Sequence, residues 1–352
     1  MPTGVTYGLE PPARPRGESP VVTGTPEEER RRRRRILLFF FLLGLLLLLA
    51  AVTIWYLIFR QPINPLPIIP SSKVPAYSTS FYGPNTPMGL AVSREGDRIY
   101  VAETEGDRRL LVFDGGDNLV QAVRPPESTG TEHVPLWVAI DPVTSEVYVS
   151  DRPTGQIYIY DRDGTYLRTF ALALPLTGWQ PVGLAFDLGG NLYVSDLSQA
   201  TAQVEMIDRT GKIVRTFGAN DHLSFPNGVA VDGHGTVYVA DSNNGRLLAY
   251  GPDGTLIAQV GRGAGIGALG LPRGVNVDAG DLVYVCDTTA QSVFVYRVPS
   301  GTPPSFEYVG SFGVEGLGDG QFSFPNGVAT DARGRVYVTD TGSDRVQLWS
   351  YQ

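Results

Sequence analysis

The stretch "FPNGVAVDGHGTVYVADSNNGRLLAY", Phe225–Tyr250, recurs near the C-terminus as "FPNGVATDARGRVYVTDTGSDRVQLW", Phe324–Trp349. Each copy has a Pro-x-Gly start, a short apolar run, a turn, a Val-Tyr-Val run that ends in Asp, and a third alternating run. Short alternating runs of β-branched and aromatic residues, bounded by turn residues, are typical of antiparallel strands. The two copies therefore predict a repeated β-unit.

Four further units follow the same pattern, and most of them close with a fourth run such as "KIVRTFG". Four antiparallel strands repeated every 40 to 50 residues are typical of a β-propeller. The sequence thus predicts an all-β protein, a six-bladed β-propeller with four-stranded blades over residues 76–352. Its anchoring prolines are 45 to 53 residues apart: Pro87, Pro135, Pro181, Pro226, Pro272 and Pro325.

These units resemble NHL repeats, and the stretch "GLGDGQFSFPNGVATDARGRVYVTDTGSDRVQLW" is close to that family's consensus. The resemblance covers roughly residues 76–352, although Trp137 replaces the strand-opening Gly and Glu103 replaces the usual Asp. It implies an NHL-like six-bladed propeller with a binding or scaffolding role. Propellers of this family serve as ectodomains of membrane-anchored bacterial receptors and as parts of envelope complexes.

The sixth unit ends at Gln352 after its third strand. The segment "AYSTSFYG", Ala76–Gly83, resembles the fourth strands of the other units. We therefore expect strand 76–83 to complete the last blade and close the ring, because an unpaired edge strand invites aggregation.

An apolar segment precedes the propeller. Residues 36–59 carry no charge and would span about 36 Å as a helix, which is enough to cross a bilayer. Arg30–Arg35 flank its N-terminal end, so the positive-inside rule places the N-terminus in the cytoplasm. The sequence predicts a single-pass cell-membrane protein with an extracytoplasmic propeller, and a cleaved export signal is the alternative.

The remaining segments and the charge define the rest of the organisation. Residues 1–35 are predicted to form a disordered, basic cytoplasmic tail, and the Pro-rich residues 60–75 are predicted to form a stalk. The net charge is +3 over residues 1–35 and −11 over the remainder. An acidic main body argues against a nucleic-acid partner.

Strand alternation assigns the loops to two faces of the propeller. We define the top face as the one that carries the loops before each Pro-x-Gly and after the acidic residue of each second strand. Strand 76–83 would begin at the opposite, bottom face, where the stalk enters. The top face is therefore expected to be membrane-distal.

The position between Pro and Gly differs among the blades. It is apolar in the first three units and polar in the others, and two Trp residues lie in or beside top loops, where we expect exposure. Exposed aromatic residues beside Arg and Asn are typical of binding hot spots. The alternative is that these side chains only plug the channel and pack the loops. The predicted site for a protein, peptide or glycan partner comprises Trp137, Trp179, Asn227, Arg273 and Asn326.

An enzyme is the alternative function. "HLSFP", which begins at His222, resembles a His-x-x-x-Pro element of amidating lyases, and Asn227 and Asn326 resemble metal-ligand positions of lactonase-like propellers. No carboxylate occupies the equivalent positions, and Arg273 would repel a cation. The sequence therefore favours a binding module without catalytic residues, metal or cofactor. An exported metal-dependent lactonase, another hydrolase or an amidating-lyase-like enzyme is the second interpretation.

The acidic residue that ends each second strand has a structural interpretation. Because every unit carries one, we expect it to accept backbone N–H groups and order the following loop rather than to bind metal. These residues are Glu103, Asp151, Asp196, Asp241, Asp287 and Asp340.

Overall fold

The computed structural model describes residues 26–59, 73–126, 133–198, 202–263 and 265–352. Helix α1 (Pro26–Phe59) begins earlier than predicted, because the Arg run continues the helix. The segment Arg30–Thr53, whose apolar window has a mean hydropathy of 3.0, is a candidate membrane anchor or signal sequence. The predicted tail before Pro26 and the predicted stalk over residues 60–72 lie outside the described residues.

The first three blades follow one another along the chain, each a four-stranded antiparallel sheet in sequence order. Blade 1 contains β2 (Pro87–Val92), β3 (Arg98–Glu103), β4 (Leu110–Asp114) and β5 (Leu119–Val123). Blade 2 contains β6 (Pro135–Ile140), β7 (Val147–Asp151), β8 (Gln156–Tyr160) and β9 (Tyr166–Thr169). Blade 3 contains β10 (Pro181–Phe186), β11 (Leu192–Asp196), β12 (Gln203–Ile207) and β13 (Ile213–Phe217).

The next two blades repeat this order, and a short parallel pair, β22 (Val314–Glu315) and β23 (Gln321–Phe322), precedes the last blade. Blade 4 contains β14 (Pro226–Val231), β15 (Val237–Asp241), β16 (Arg246–Tyr250) and β17 (Leu256–Val260). Blade 5 contains β18 (Pro272–Val277), β19 (Leu282–Asp287), β20 (Ser292–Ser300) and β21 (Ser305–Phe312).

Blade 6 combines the two ends of the propeller. It contains β24 (Pro325–Thr330), β25 (Val336–Asp340), β26 (Arg345–Ser350) and, as the outermost strand, β1 (Ala76–Tyr82). Strand β1 pairs antiparallel with β26, from Ala76 opposite Ser350 to Tyr82 opposite Arg345. The prediction of a closing strand is confirmed, and β1 begins at the bottom face as expected.

The innermost strands of neighbouring blades are in close contact around the axis. A Cβ on Gly183 would lie 2.1 Å from the Asn227 carbonyl oxygen, and a Cβ on Gly274 would lie 2.2 Å from that of Asn326. A Cβ on Gly327 of blade 6 would lie 2.5 Å from the Met88 carbonyl oxygen of blade 1. The Pro-x-Gly signature is therefore a packing requirement, since only Gly lets one inner strand approach the next this closely.

Hydrogen bonds and apolar clusters between blades complete the ring. The Thr288 Oγ1 of blade 5 donates to the Pro325 carbonyl of blade 6 at 2.8 Å, and the Thr341 Oγ1 donates to the Pro87 carbonyl of blade 1 at 2.6 Å. The core lies between neighbouring blades: Tyr337 of blade 6 packs in one buried cluster with Ile99 of blade 1. Each blade thus buries its faces against two neighbours.

Candidate functional site

We call the six residues between Pro and Gly the channel mouth. The close contacts of the inner strands hold them in one ring above a cavity of about 180 Å³, which the inner strands line. Half of the ring is apolar and half is polar, as the sequence indicates. The members are Met88, Leu136, Val182, Asn227, Arg273 and Asn326.

The two asparagines of the channel mouth are buried and tied to the loop of their own blade. The Asn227 Nδ2 donates to the Ser242 Oγ at 2.7 Å, and the Asn326 Nδ2 donates to the Thr341 Oγ1 at 2.7 Å. The Asn326 Oδ1 is buried and accepts no hydrogen bond within the described residues. These side chains support the top loops, and the Asn326 Oδ1 keeps a free acceptor.

Arg273 is the exception in the channel mouth. Its side chain is partly buried, and no hydrogen bond or ion pair joins it to the part of the chain that the structure describes. Its Nε is buried and unpaired, and burial lowers the pKa of its guanidinium from the usual value. A desolvated charge without a partner is unfavourable. Arg273 is therefore suited to pair with an external anion.

The two tryptophans lie away from Arg273. Trp137 is only 6% exposed and packs in the core cluster between blades 2 and 3, so the expectation of an exposed aromatic residue is wrong there. Trp179 is partly buried against the same cluster, 6.3 Å from the Phe170 ring. Because blades 2 and 5 stand on opposite sides of the six-membered ring, the structure does not bring the five predicted residues into one contact surface.

The acidic residues at the ends of the second strands order the top loops. The Asp151 carboxylate accepts the Val134 N–H at 3.0 Å, and the Asp241 carboxylate accepts the Ser224 N–H at 2.7 Å. Most also pair with a cationic or imidazole side chain, such as Arg345 with Asp340 at 2.8 Å. The expectation that these residues accept backbone N–H groups is confirmed for the five aspartates, whereas Glu103 pairs with the Arg109 side chain. Among the described residues, no group of three His, Cys, Asp or Glu could hold a metal ion.

Blade 3 departs from this pattern, which sequence reasoning missed. Its Asp196 has no cationic partner among the described residues, and the fully buried Glu205 of β12 lies beside it. Desolvation, together with the charge of Asp196, raises the pKa of Glu205 to about 8, although a hydrogen bond from Gln203 opposes this shift. The sequence contains a signal for this exception. The Glu of "VEMI" occupies the strand position that Leu248 occupies in blade 4.

A cavity of about 460 Å³ on the top face also escaped the sequence analysis. It lies between the loops of blades 2, 3 and 4, and Arg152 and Phe225 contribute to its walls. One wall is the "HLSFP" stretch that begins at His222, but the other lining residues come from separate repeats, so no single motif marks the cavity.

The fold and the top-face geometry define a closed six-bladed β-propeller of four-stranded blades. The NHL repeat family model matches residues 223–250 and 322–348, so the propeller carries NHL repeats at these positions. These ranges coincide with the first three strands of blades 4 and 6. The resemblance found in the sequence is thereby confirmed.

Two curated relatives match part of the propeller. YncE of Escherichia coli K12 is 23% identical over 154 residues, which cover 43% of this chain and 40% of YncE. Protein brain tumor of Drosophila melanogaster is 29% identical over 139 residues, which cover 39% of this chain and 13% of that protein. The chain thus spans less than half the length of either relative.

Solved structures share the fold. A streptogramin B lyase superposes with a TM-score of 0.54 at 12% identity, covering 78% of this chain and 97% of the lyase. A catalytically inactive virginiamycin B lyase from Staphylococcus aureus, solved with quinupristin, gives a TM-score of 0.52 at 14% identity, with coverage of 78% and 88%. At this identity the likeness concerns the fold alone.

Proposed function

We propose that the chain is a membrane-anchored, extracytoplasmic binding module whose top face binds a protein, peptide or glycan through an acidic group. The observation that carries this proposal is the unpaired, partly buried guanidinium of Arg273 in the channel mouth. Arginine pairs with carboxylates in a bidentate geometry, and such charge-assisted pairs are strong when water is excluded. An acidic group on the partner would supply the missing charge.

The chain order supports a membrane-distal top face. The candidate membrane span precedes β1, and β1 begins at the bottom of blade 6. A partner in the extracytoplasmic space would then meet the channel mouth at the far side of the propeller. The position of Asn326 beside Arg273 on the ring adds a free acceptor for a donor group of the same partner.

Arg273 substitutions test the proposal through two independent measurements. We expect Arg273→Glu to reduce recovery of partners from native membranes at least about tenfold, a loss of roughly 1.4 kcal/mol. Arg94→Glu, which reverses the charge of an exposed arginine on the bottom face, is the matched control and should retain them. Quantitative cross-linking of the full chain measures both. Equal recovery by the two variants would contradict the proposal.

The second measurement is stability. Replacing Arg273 with Met removes an unpaired, partly desolvated charge, so the free energy of unfolding should rise by about 1 kcal/mol while binding is lost. Denaturant unfolding of the full chain in detergent micelles measures the change. A loss of stability would mean that the guanidinium has a structural partner instead.

The enzyme alternative predicts a different result. A lactonase or an amidating lyase of the kind considered above would contain a stoichiometric divalent ion, lost on His222→Ala or Asn227→Ala. Our proposal expects no such ion, and metal analysis of the purified chain distinguishes the two. A bound ion that these substitutions release would favour the enzyme.

A further inference from the structure

The cavity between blades 2, 3 and 4 has the size and composition of a small-ligand site. Its volume of about 460 Å³ lies within the range of about 300–1,000 Å³ that is typical of ligand pockets. Apolar and polar groups meet in its walls. The lining residues include Arg152, Gln180, Leu197, His222, Leu223 and Phe225.

Arg152 supplies a positive charge that the fold does not use. Four other blades place a buried Ser or Thr directly after the acidic residue of the second strand, whereas blade 2 places the exposed Arg152 there. The acid of blade 2, Asp151, is already satisfied by Val134 N–H and His133 Nδ1. Within the described residues, no carboxylate pairs with the Arg152 guanidinium, which lies 5.8 Å from the centre of the Phe225 ring.

Phe225 is held as an aromatic wall beneath this guanidinium. Its φ of 57° is left-handed, a conformation that is unfavourable for a bulky residue and persists only where the surroundings impose it. The Ser242 N–H donates to the Phe225 carbonyl at 3.3 Å, and the Asn244 Nδ2 donates to the His222 carbonyl at 2.9 Å. The equivalent Phe324 of blade 6 has the same φ sign but is 55% exposed.

The other walls divide the cavity into a polar part and an apolar part. Gln180 and His222 are exposed beside Arg152 and offer further polar groups. Leu197, Leu223 and the Phe225 ring form the apolar part. None of the lining residues is acidic, so the cavity walls carry a net positive charge from Arg152.

We propose that this cavity binds a carboxylate attached to an aromatic or branched apolar group. Arg152 would pair with the carboxylate, and Leu197, Leu223 and Phe225 would contact the apolar group. Two sources share this chemistry: a free small acid and the C-terminal residue of a peptide. The site lies on blades 2 to 4, whereas Arg273 lies on blade 5, so it does not depend on the proposed role of Arg273.

Isothermal titration of the full chain in detergent micelles tests the ligand class. The probes are N-acetyl-L-phenylalanine, its amide, inorganic phosphate, and a tetrapeptide that ends in Phe as the acid or the amide. We expect one of the two acids to bind, and its amide to bind at least about tenfold more weakly, because the pair with Arg152 is lost. Tighter binding of the peptide acid would identify a peptide C-terminus, and tighter binding of the free acid a small molecule.

Substitutions at Arg152 test whether the acid binds in this cavity. Arg152→Gln should lower the affinity for the acid at least about tenfold. Arg152→Lys should retain part of that affinity, since Lys keeps the positive charge but lacks the planar guanidinium. Arg94→Gln, which changes an exposed residue of the bottom face, should leave it unchanged within about twofold. A loss on Arg273→Gln with none on Arg152→Gln would overturn this site while supporting the channel mouth.

Three further results would overturn the proposal. The first is that neither acid binds at about 10 mM, a concentration at which even affinities near 1 mM are visible. The second is that acid and amide bind equally. The third is that inorganic phosphate binds as tightly as the acids, which would mean that the apolar walls make no contribution.

Discussion

Deleting residues 76–82 from the full chain is expected to abolish the cooperative unfolding transition of the propeller. Strand β1 supplies the outer strand of blade 6, and β26 would lose its partner over the whole register. Phe81, which is 5% exposed, would leave the cluster that it shares with Phe113, 4.9 Å between ring centres, and Val346. The new edge strand would also be free to pair between chains.

A pair of single substitutions separates closure from deletion artefacts. Phe81→Ala should lower the free energy of unfolding by about 3 kcal/mol, as is usual for a buried Phe, which is a large part of a typical total of about 5–15 kcal/mol. Thr79→Ala, at an exposed position of the same strand, should change it by less than about 1 kcal/mol.

Chemical denaturation followed by intrinsic tryptophan fluorescence measures these changes, because Trp349 lies in β26 next to β1. An unchanged midpoint after the deletion, or equal effects of the two substitutions, would show that the ring is stable without its closing strand.

The repeated unit predicts most of the fold from the sequence alone. Pro-x-Gly indicates the start of an inner strand because Gly183, Gly274 and Gly327 each lie against the backbone of the next blade. This packing requirement produces a Gly that recurs in the repeats. The closing strand was predictable for the same reason: the sixth unit lacks one strand, and residues 76–83 match it. Residues that recur in the repeats therefore predict the contacts that recur between neighbouring blades.

The candidate sites were less predictable because they depend on what single blades do differently. The sequence shows that Arg273 is a charged residue at the channel-mouth position. Whether it has a partner depends on the directions of the neighbouring side chains, which the sequence does not give. Trp137 was expected to be exposed because it lies beside a top loop. Its side chain instead fills the interface between blades 2 and 3. The cavity beside Arg152 combines loops from three repeats, so no single stretch carries its pattern.

Glu205 shows how one such exception affects the whole protein. The Glu205 carboxyl is fully buried beside Asp196, and its pKa of about 8 exceeds the unfolded value of about 4.5. Between these two pH values the folded chain keeps a proton that the unfolded chain has released. The free energy of unfolding therefore falls by about 1.4 kcal/mol per pH unit as the pH rises through this window. Below about pH 4.5 and above about pH 8, this group adds no further slope.

Glu205→Gln should remove that dependence. Glutamine has nearly the same shape, carries no charge and can still accept the hydrogen bond from the Gln203 Nε2, so the variant keeps the neutral form at every pH. Relative to the wild type, the variant should gain about 4 kcal/mol in the free energy of unfolding at pH 7.5 and almost nothing at pH 4.5. Arginines neutralise the equivalent acids of blades 1, 4 and 6, whereas a buried second carboxylate faces that of blade 3.

Urea unfolding of both chains from about pH 4.5 to about pH 9.5 measures the difference, with the exposed Glu105→Gln as the matched control. The control should shift the curve by less than about 0.5 kcal/mol at any pH. A constant offset between wild type and Glu205→Gln over the whole range would mean that Glu205 ionises normally in the folded protein. A loss of stability at pH 7.5 would mean that the ionised carboxylate has a cationic partner, and either result would contradict the assignment. The predicted pattern, a gain that grows with pH and stops near pH 8, follows only if blade 3 holds a protonated carboxyl at its top edge.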